Sequence, residues 1–135
     1  MLAAMVLGAD GVQRGTRFVA SEESAAHINL KQKVLGLSEG ETQLTLKEIT
    51  PVRLIKNDFY NEVQKIYESD GTLEELKNKL GRGRAKKGMF EGDMIDGELE
   101  IGQAASQVNT ILPAKEIVNQ ILEEFKLAKN DISTI

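Results

Sequence analysis

Apolar residues recur at helical spacing near the C-terminal end of the chain. Pro113 is a residue that suits the first turn of a helix. The apolar positions that follow it are Ala114, Ile117, Val118, Ile121, Leu122, Phe125 and Ala128. Residues three or four apart lie on one face of a helix, so this stripe predicts a long amphipathic helix that packs against a core. An oligomer interface is the alternative interpretation of the same stripe.

The middle of the chain has a second helical pattern. Thr50 and Pro51 are typical of a helix start. The apolar positions that follow are Val52, Ile55, Phe59, Val63 and Ile66. This spacing predicts one long helix over residues 52–69. Thr72 and Glu75 then have the spacing of a capping box, which predicts a shorter helix that Gly81 ends.

The N-terminal part mixes helical and strand patterns. Residues 2–7 are good helix formers and predict a helix that Gly8 ends. Residues 11–14 are predicted to form one short buried strand, followed at once by a turn at Gly15 and Thr16. Residues 42–47 alternate polar and apolar side chains, which predicts a second strand with Leu44 and Leu46 on one face.

A further helix is predicted between these two strands. Ser21 resembles a helix cap, and it is followed by two acidic residues. The helix itself is expected over residues 26–35, with Gly36 at its end. His27 is the only histidine of the chain. Because no Asp, Ser or Cys partner stands near it, we expect it to form structural hydrogen bonds rather than to act as a base.

Residues 81–103, the Gly-rich segment, contain six of the twelve glycines and four basic residues. A nucleic-acid patch is disfavoured because only Phe90 could stack on a base. A dinucleotide fingerprint is disfavoured because a helix, not a strand, precedes the glycines. A solvated basic loop and a long irregular active-site loop remain. The acidic positions do not follow a calcium loop, and we expect no metal site there: Glu91, Asp93, Asp96, Glu98 and Glu100.

Composition narrows the class of protein. The length of 135 residues gives room for one domain, and 41% apolar with 28% charged residues is typical of a soluble protein. The net charge of −4 argues against nonspecific nucleic-acid binding. The absence of cysteine excludes disulfides. No stretch approaches the roughly 18 apolar residues of a membrane span, and no basic flank precedes the apolar start. A cytoplasmic protein without a membrane partner is expected.

Residues 9–20, followed by Glu22, Glu23, Ala26 and His27, resemble the eighth-strand signature of one flavoprotein family. That family contains enoyl-acyl carrier protein reductase II and nitronate monooxygenase, which is also called 2-nitropropane dioxygenase. Residues 81–84, 88–93 and 97–103 are similar to the C-terminal part of the reductase branch. The resemblance runs in the same order over nearly the whole chain.

The resemblance implies an α/β fold, the C-terminal fragment of an FMN-binding (β/α)8 TIM barrel. The fragment would be mostly helical with one or two short strands, since such a barrel needs roughly 250 residues. Met1 would be an internal methionine of the parent sequence, inside the seventh helix. The implied divisions are the last barrel unit with the FMN phosphate loop at 1–37, a helical insertion at 38–80, the active-site loop at 81–103 and C-terminal helices at 104–135.

The turn at Gly15 and Thr16 is the main candidate site. Backbone N–H groups at a glycine turn suit an anion such as phosphate, although an ordinary turn is the alternative. The resemblance implies that Gly15 and Thr16 hold the FMN phosphate, with Gln13 and Arg14 beside them and Gln103 near the flavin. It places the catalytic histidine and the strand-seven glycines upstream, so no catalytic residue is expected within this chain.

The implied activity is that of an FMN-dependent oxidoreductase in fatty acid synthesis, with NADH or NADPH as reductant. Its substrate would be an enoyl thioester, either a small molecule or one linked to acyl carrier protein. Nitronate monooxygenase is the alternative within the family. A noncatalytic helical fragment or oligomerising interaction module is the alternative of another class. With half of a phosphate site and no candidate acid, the chain alone is expected to bind FMN poorly and to lack reductase activity.

Overall fold

The computed structural model of the chain describes residues 1–133. These residues are mostly helical and include one two-stranded sheet. The α-helices are α1 (Leu2–Val6), α2 (Thr16–Val19), α3 (Ile28–Leu35), α4 (Asp58–Glu68), α5 (Leu73–Leu80), α6 (Arg84–Met89) and α7 (Ala114–Ser133). The strands are β1 (Thr42–Thr45) and β2 (Val52–Ile55), and a 3-10 helix spans Gln103–Gln107.

The chain divides into two compact units. The first unit combines the two ends of the chain, Met1–Ser24 and Ile111–Ile135, and the second is Ala25–Thr110. The helices of the described residues 1–133 include none with the length and apolar character needed to cross a membrane.

Helix α7 organises the first unit, and α1 and α2 both contact it. The backbone N–H of Ala114 donates to Glu23 Oε2 at 2.8 Å, which satisfies a donor at the helix start. Just before the helix, Leu112 pairs with Ser21 in a parallel bridge. Ile117 is buried. The predicted amphipathic helix after Pro113 is therefore confirmed, as is the N-terminal helix.

Two predictions for the N-terminal part are wrong. Residues 11–14 are exposed and form no strand, because a strand needs a neighbour and no described residue pairs with this segment. Ser21 does not start a helix, since its backbone is engaged in the bridge to Leu112. Helix α3 begins at Ile28, with His27 as its N-cap, and it ends at Gly36 as predicted.

The sheet of the second unit corrects the predicted helix over residues 52–69. Strands β1 and β2 pair antiparallel, with Thr42 opposite Ile55. The other edge of β2 is paired as well: Ile55 N–H donates to Leu99 O at 3.0 Å, and Ile101 N–H donates to Arg53 O at 3.1 Å. These long-range backbone bonds hold residues 52–55 as a strand, so only the later part of the apolar pattern becomes helix α4.

One hydrophobic cluster of the second unit joins β2, α4 and α5. Its buried members are Leu46, Leu54, Phe59, Tyr60, Val63 and Leu76. Leu46 lies just beyond β1 with φ of 54°. Its carbonyl accepts hydrogen bonds from the N–H groups of Ile49 and Thr50, which form a turn. This turn buries Leu46 while Leu44 stays 39% exposed. The prediction that Leu44 and Leu46 share one face is therefore wrong, although the strand itself is confirmed.

Helix α5 starts with the predicted capping box. Thr72 Oγ1 accepts from Glu75 N–H at 3.2 Å, and Glu75 Oε2 accepts from Thr72 N–H at 2.6 Å. Gly81 ends the helix with φ of 62°, a left-handed conformation that favours glycine. These three local predictions are confirmed.

Candidate functional site

The turn at Gly15 leads directly into helix α2. Gly15 is the N-cap of that helix with φ of −100° and ψ of −59°, and its carbonyl accepts from Phe18 N–H at 2.9 Å. Gln13, Arg14 and Gly15 are exposed, and Thr16 is half-buried. The four residues that the sequence predicted as FMN contacts are therefore consecutive at one exposed turn.

The space around Gly15 is compatible with a phosphate group. A Cβ atom added there would meet no heavy atom of the described residues within 4 Å. A ligand oxygen can therefore approach the backbone of Gly15 directly. The exposed guanidinium of Arg14 adds a positive charge beside the turn. The turn therefore has room for an anion beside the backbone of Gly15.

The Gly-rich segment contains the short helix α6, and most of its other residues form neither helix nor strand. Arg84 holds it to the core: its Nε donates to Leu80 O and its Nη1 to Asp96 O, both at 2.8 Å. The same guanidinium lies 4.7 Å from the ring centroid of Phe59, in a cation–π contact. Gly88 and Gly97 permit a close backbone approach, because a Cβ on Gly97 would overlap the Cα of Gly88.

His27 joins helix α3 to the Gly-rich segment. Its Nδ1 accepts from Asn29 N–H at 3.1 Å, and its own N–H donates to Met89 O at 2.8 Å. Asn29 Nδ2 donates to Gly92 O at 3.0 Å. A Cβ on Gly92, whose φ is +80°, would overlap the His27 ring. The prediction that His27 forms structural hydrogen bonds is confirmed.

The acidic residues of this segment have structural partners. Asp93 accepts from the N–H groups of Asp96 and Ile95 at 2.8 and 2.9 Å and forms an ion pair with Lys87 at 3.0 Å. The backbone N–H of Asp96 is the largest cause that lowers the pKa of Asp93 to about 2. Burial, and then the nearby Glu100, raise the pKa of Glu98. Residues 1–133 contain no group of three or more His, Cys, Asp or Glu side chains that could hold a metal.

Gln103 lies in a polar cleft within the second unit. The cleft has a volume of about 640 Å³ and is lined by residues 38–40, Thr42, Arg53 and the 3-10 helix Gln103–Gln107. That volume is in the range of small-molecule sites, roughly 300–1,000 Å³. Arg53 Nη1 donates to Thr42 O at 3.0 Å and to Thr42 Oγ1 at 3.2 Å.

The sequence interpretation missed two residues of the second unit, and the five residues that it assigned to one FMN site belong to different compact units. Gln13, Arg14, Gly15 and Thr16 belong to the first unit and Gln103 to the second. Arg53 was missed because it fell inside the predicted helix over residues 52–69. Asn57, which caps α4, was missed for the same reason. An Asn followed by Asp is a helix-start signal that could have identified it.

Comparison with known proteins identifies the family. The family model described as nitronate monooxygenase matches residues 1–124. A probable nitronate monooxygenase of Bacillus subtilis is 31% identical over 123 residues, which cover 90% of this chain and 35% of that protein. One of Staphylococcus aureus (strain MSSA476) is 32% identical over 125 residues, which cover 92% of this chain and 35% of that protein.

The structure of FabK from Thermotoga maritima matches 99% of this chain and 42% of that chain, with 33% identity and a TM-score of 0.90. FabK is an enoyl-acyl carrier protein reductase II with a TIM-barrel fold. The mostly helical chain with one small sheet matches part of that barrel protein, which confirms the predicted fold class. The chain spans about a third of the length of the curated relatives that it matches. The match of the family model over residues 1–124 shows that the chain belongs to the nitronate monooxygenase family.

Proposed function

We propose that this chain is part of an FMN-dependent oxidoreductase of the enoyl-acyl carrier protein reductase II type, acting in fatty acid synthesis in the cytoplasm. The observation that carries the proposal is the match of 99% of the chain, including the Gly-rich segment, to FabK. Because the chain corresponds to 42% of that structure, the activity, the substrate and the reductant of the whole enzyme are all part of the proposal.

In this proposal Gly15 and Thr16 hold the FMN phosphate. The backbone N–H groups of the turn and the Thr16 hydroxyl would donate to phosphate oxygens, and Gln13 and Arg14 would flank them. The open space around Gly15 supports this role. Gln103 would lie near the flavin. The chemistry that FMN supplies when bound is hydride transfer from NADH or NADPH to the β-carbon of an enoyl thioester.

The four divisions at 1–37, 38–80, 81–103 and 104–135 belong to the same proposal, since they assign roles rather than compact units. The proposal assigns to this chain neither an acid that protonates the substrate nor the strand-seven glycines that would complete the phosphate site. We therefore expect the chain alone to bind FMN poorly and to lack reductase activity. NADH-dependent turnover of an enoyl thioester by the purified chain would contradict that expectation.

Nitronate monooxygenase is the second candidate function. It is favoured by the family model and by the names of the curated relatives. A noncatalytic, oligomerising module is a candidate of another class. It is favoured by the outer face of α7, where Val118 and Leu122 are each 44% exposed. A homo-oligomer is compatible with either enzymatic function.

A chimera tests the reductase proposal directly. This chain would replace the matched 42% of Thermotoga maritima FabK, and the purified chimera would be assayed for bound FMN by its absorbance. NADH or NADPH oxidation would then be measured with crotonyl thioester, and oxygen consumption with propyl-2-nitronate. Thioester-dependent oxidation of the nucleotide supports the reductase. A folded, FMN-containing chimera that oxidises only the nitronate overturns it in favour of the second candidate.

Two matched glycine variants test the phosphate turn in the same chimera. Gly15→Val places a branched side chain where the phosphate would approach, so we expect at least about tenfold weaker FMN binding. Gly11→Val is the control, because a Cβ there also meets no heavy atom of the described residues within 4 Å. Equal FMN affinity of the two variants would remove Gly15 from the site.

A further inference from the structure

We propose that the cleft between β2 and the 3-10 helix binds a phosphate group through Arg53. The inference that the ligand carries a phosphate group rests on the cleft alone. The choice between two sources of that phosphate, a nicotinamide dinucleotide and the phosphopantetheine arm of a carrier-linked thioester, rests on the proposed function.

The guanidinium of Arg53 is fixed on one side and available on the other. Nη1 is held by the carbonyl and the hydroxyl of Thr42 at 3.0 and 3.2 Å. The other edge, formed by Nε and Nη2, has no partner among the described residues, and the side chain is half-buried. Two parallel N–H groups at the edge of a guanidinium match two oxygens of a phosphate. Less side-chain freedom is lost on binding because Thr42 already orients the group.

The backbone that carries Arg53 is equally fixed. Strand β2 is paired with β1 on one edge. On the other edge Arg53 O accepts from Ile101 N–H at 3.1 Å, and Leu54 bridges to Glu100. Glu100 and Ile101, which lie along this edge of β2, are followed directly by Gly102 and the 3-10 helix. The cleft is therefore built on paired strands and not on a free surface loop.

The opposite wall is anchored by buried residues. Within the 3-10 helix Gln103–Gln107, Ala105 is fully buried. Ile101 before the helix and Val108 after it are buried as well. Gln103, Ala104, Ser106 and Gln107 of this helix line the cleft, and Gln103 and Ser106 supply an amide and a hydroxyl. An amide and a hydroxyl are neutral hydrogen-bond donors, which suit the oxygens of a phosphate that Arg53 neutralises.

The third wall supplies the one acidic group that lines the cleft. Residues 38–40 turn at Gly40, whose φ is +84°, and Glu39 lies on this turn. Glu39 is exposed, whereas the nearby carboxylate of Glu41 accepts a hydrogen bond from Ser38 N–H. Removing the charge of Glu39 should therefore strengthen the binding of an anion, which gives the proposal a test with the opposite sign.

The test is a titration of the purified 135-residue chain, followed by amide chemical shifts. Inorganic pyrophosphate is the first probe. We expect saturable shifts at Thr42, Arg53, Gln103 and Ser106. Arg53→Lys keeps the charge but loses the fork, and we expect about fivefold weaker binding; Arg53→Gln should weaken it by about tenfold or more. Glu39→Gln should bind about two- to threefold more tightly.

Lys77→Gln is the matched control, because it removes one positive charge from an exposed position on α5 that does not line the cleft. It should change the affinity by less than about twofold. The amide spectrum of each variant reports whether it is folded. Equal affinities of a folded Arg53→Lys chain and the wild type, or no shifts in the cleft, would overturn the proposal.

Two further probes separate the sources of the phosphate. Adenosine 2′,5′-bisphosphate represents the dinucleotide, and phosphopantetheine represents the carrier arm. Tighter binding of one of them than of pyrophosphate, lost in Arg53→Gln, assigns the source. Arg53→Gln in the FabK chimera should retain FMN. Loss of FMN from the Arg53→Gln chimera would overturn the assignment of the cleft to these two ligands. If the chimera without this substitution contained no FMN while the cleft still bound phosphate, that result would count against the proposed function alone.

Discussion

Asn57 connects helix α4 to the Gly-rich segment with both ends of its side-chain amide. Its Oδ1 accepts from Tyr60 N–H at 3.0 Å, as an N-cap. Its Nδ2 donates to Met94 O and Ile95 O at 3.1 Å and to Gly97 O at 2.8 Å. Replacing this one residue therefore tests whether the segment is held by the specific bonds that the structure contains.

The cost of each substitution follows from which bonds it removes. Loss of the cap costs about 1 kcal/mol. The two amide N–H groups serve three carbonyls, and at about 1 kcal/mol for each N–H their loss adds about 2 kcal/mol. Asn57→Ala should thus lower the free energy of unfolding by about 3 kcal/mol, and Asn57→Ser, which keeps a capping oxygen, by about 2 kcal/mol. Asn57→Asp also keeps the cap but turns a carboxylate towards three carbonyl oxygens, so it should be no more stable than Asn57→Ala.

Urea unfolding of the purified chain, followed by far-ultraviolet circular dichroism, measures these differences. Thr72→Ala is the matched control, because it removes the cap of α5 without removing donors to a distant segment, and it should cost about 1 kcal/mol. The reasoning would be refuted if Asn57→Ser had the stability of the wild type. It would also fail if Asn57→Asp were clearly more stable than Asn57→Ala.

Four further substitutions probe charge and backbone geometry. The backbone N–H of Asp96 is the largest cause that lowers the pKa of Asp93 from 3.8 to about 2. The stability that Asp93 contributes is therefore present above about pH 4 and is lost as the pH falls towards 2. Asp93→Asn should flatten the fall of the urea midpoint between these two pH values. Gly97→Ala should cost at least about 2 kcal/mol, because its Cβ would overlap Asp93 O, whereas Gly15→Ala, in open space, should leave the thermal midpoint nearly unchanged. Asp70 has φ of 51°, so Asp70→Gly should raise the free energy of unfolding by about 0.5 kcal/mol, and a lower midpoint would contradict this.

Local signals in the sequence predicted the elements whose ends and faces are set by nearby residues. The capping box of Thr72 and Glu75 needs atoms only three residues apart, and it forms as predicted. The stripe after Pro113 likewise produces α7, since its spacing places buried Ile117 and half-buried Ile121 and Phe125 on one face of the helix. His27 belongs with these cases, because its partner Asn29 is two residues away.

Local patterns did not predict the backbone pairings between residues that are distant in sequence. Val52 and Ile55 are three residues apart, which favours a helix, yet the backbone of Ile55 bonds to Leu99 and that of Arg53 to Ile101. No local pattern shows that partner. The predicted strand at residues 11–14 failed for the opposite reason, because a strand pattern without a neighbour in the described structure has nothing to pair with.

The two candidate phosphate sites differ in the same way. Gly15 and Thr16 are adjacent, so a motif can identify them. Arg53 can be recognised only after the chain brings Thr42 and Gln103 to the same cleft from positions 11 and 50 residues away. Salt should also distinguish the two sites. A side-chain cation loses affinity for phosphate as ionic strength rises, whereas short contacts from backbone N–H groups lose less. If pyrophosphate binding at Arg53 were insensitive to salt, the charge-based argument for the cleft would fail even if the cleft were occupied.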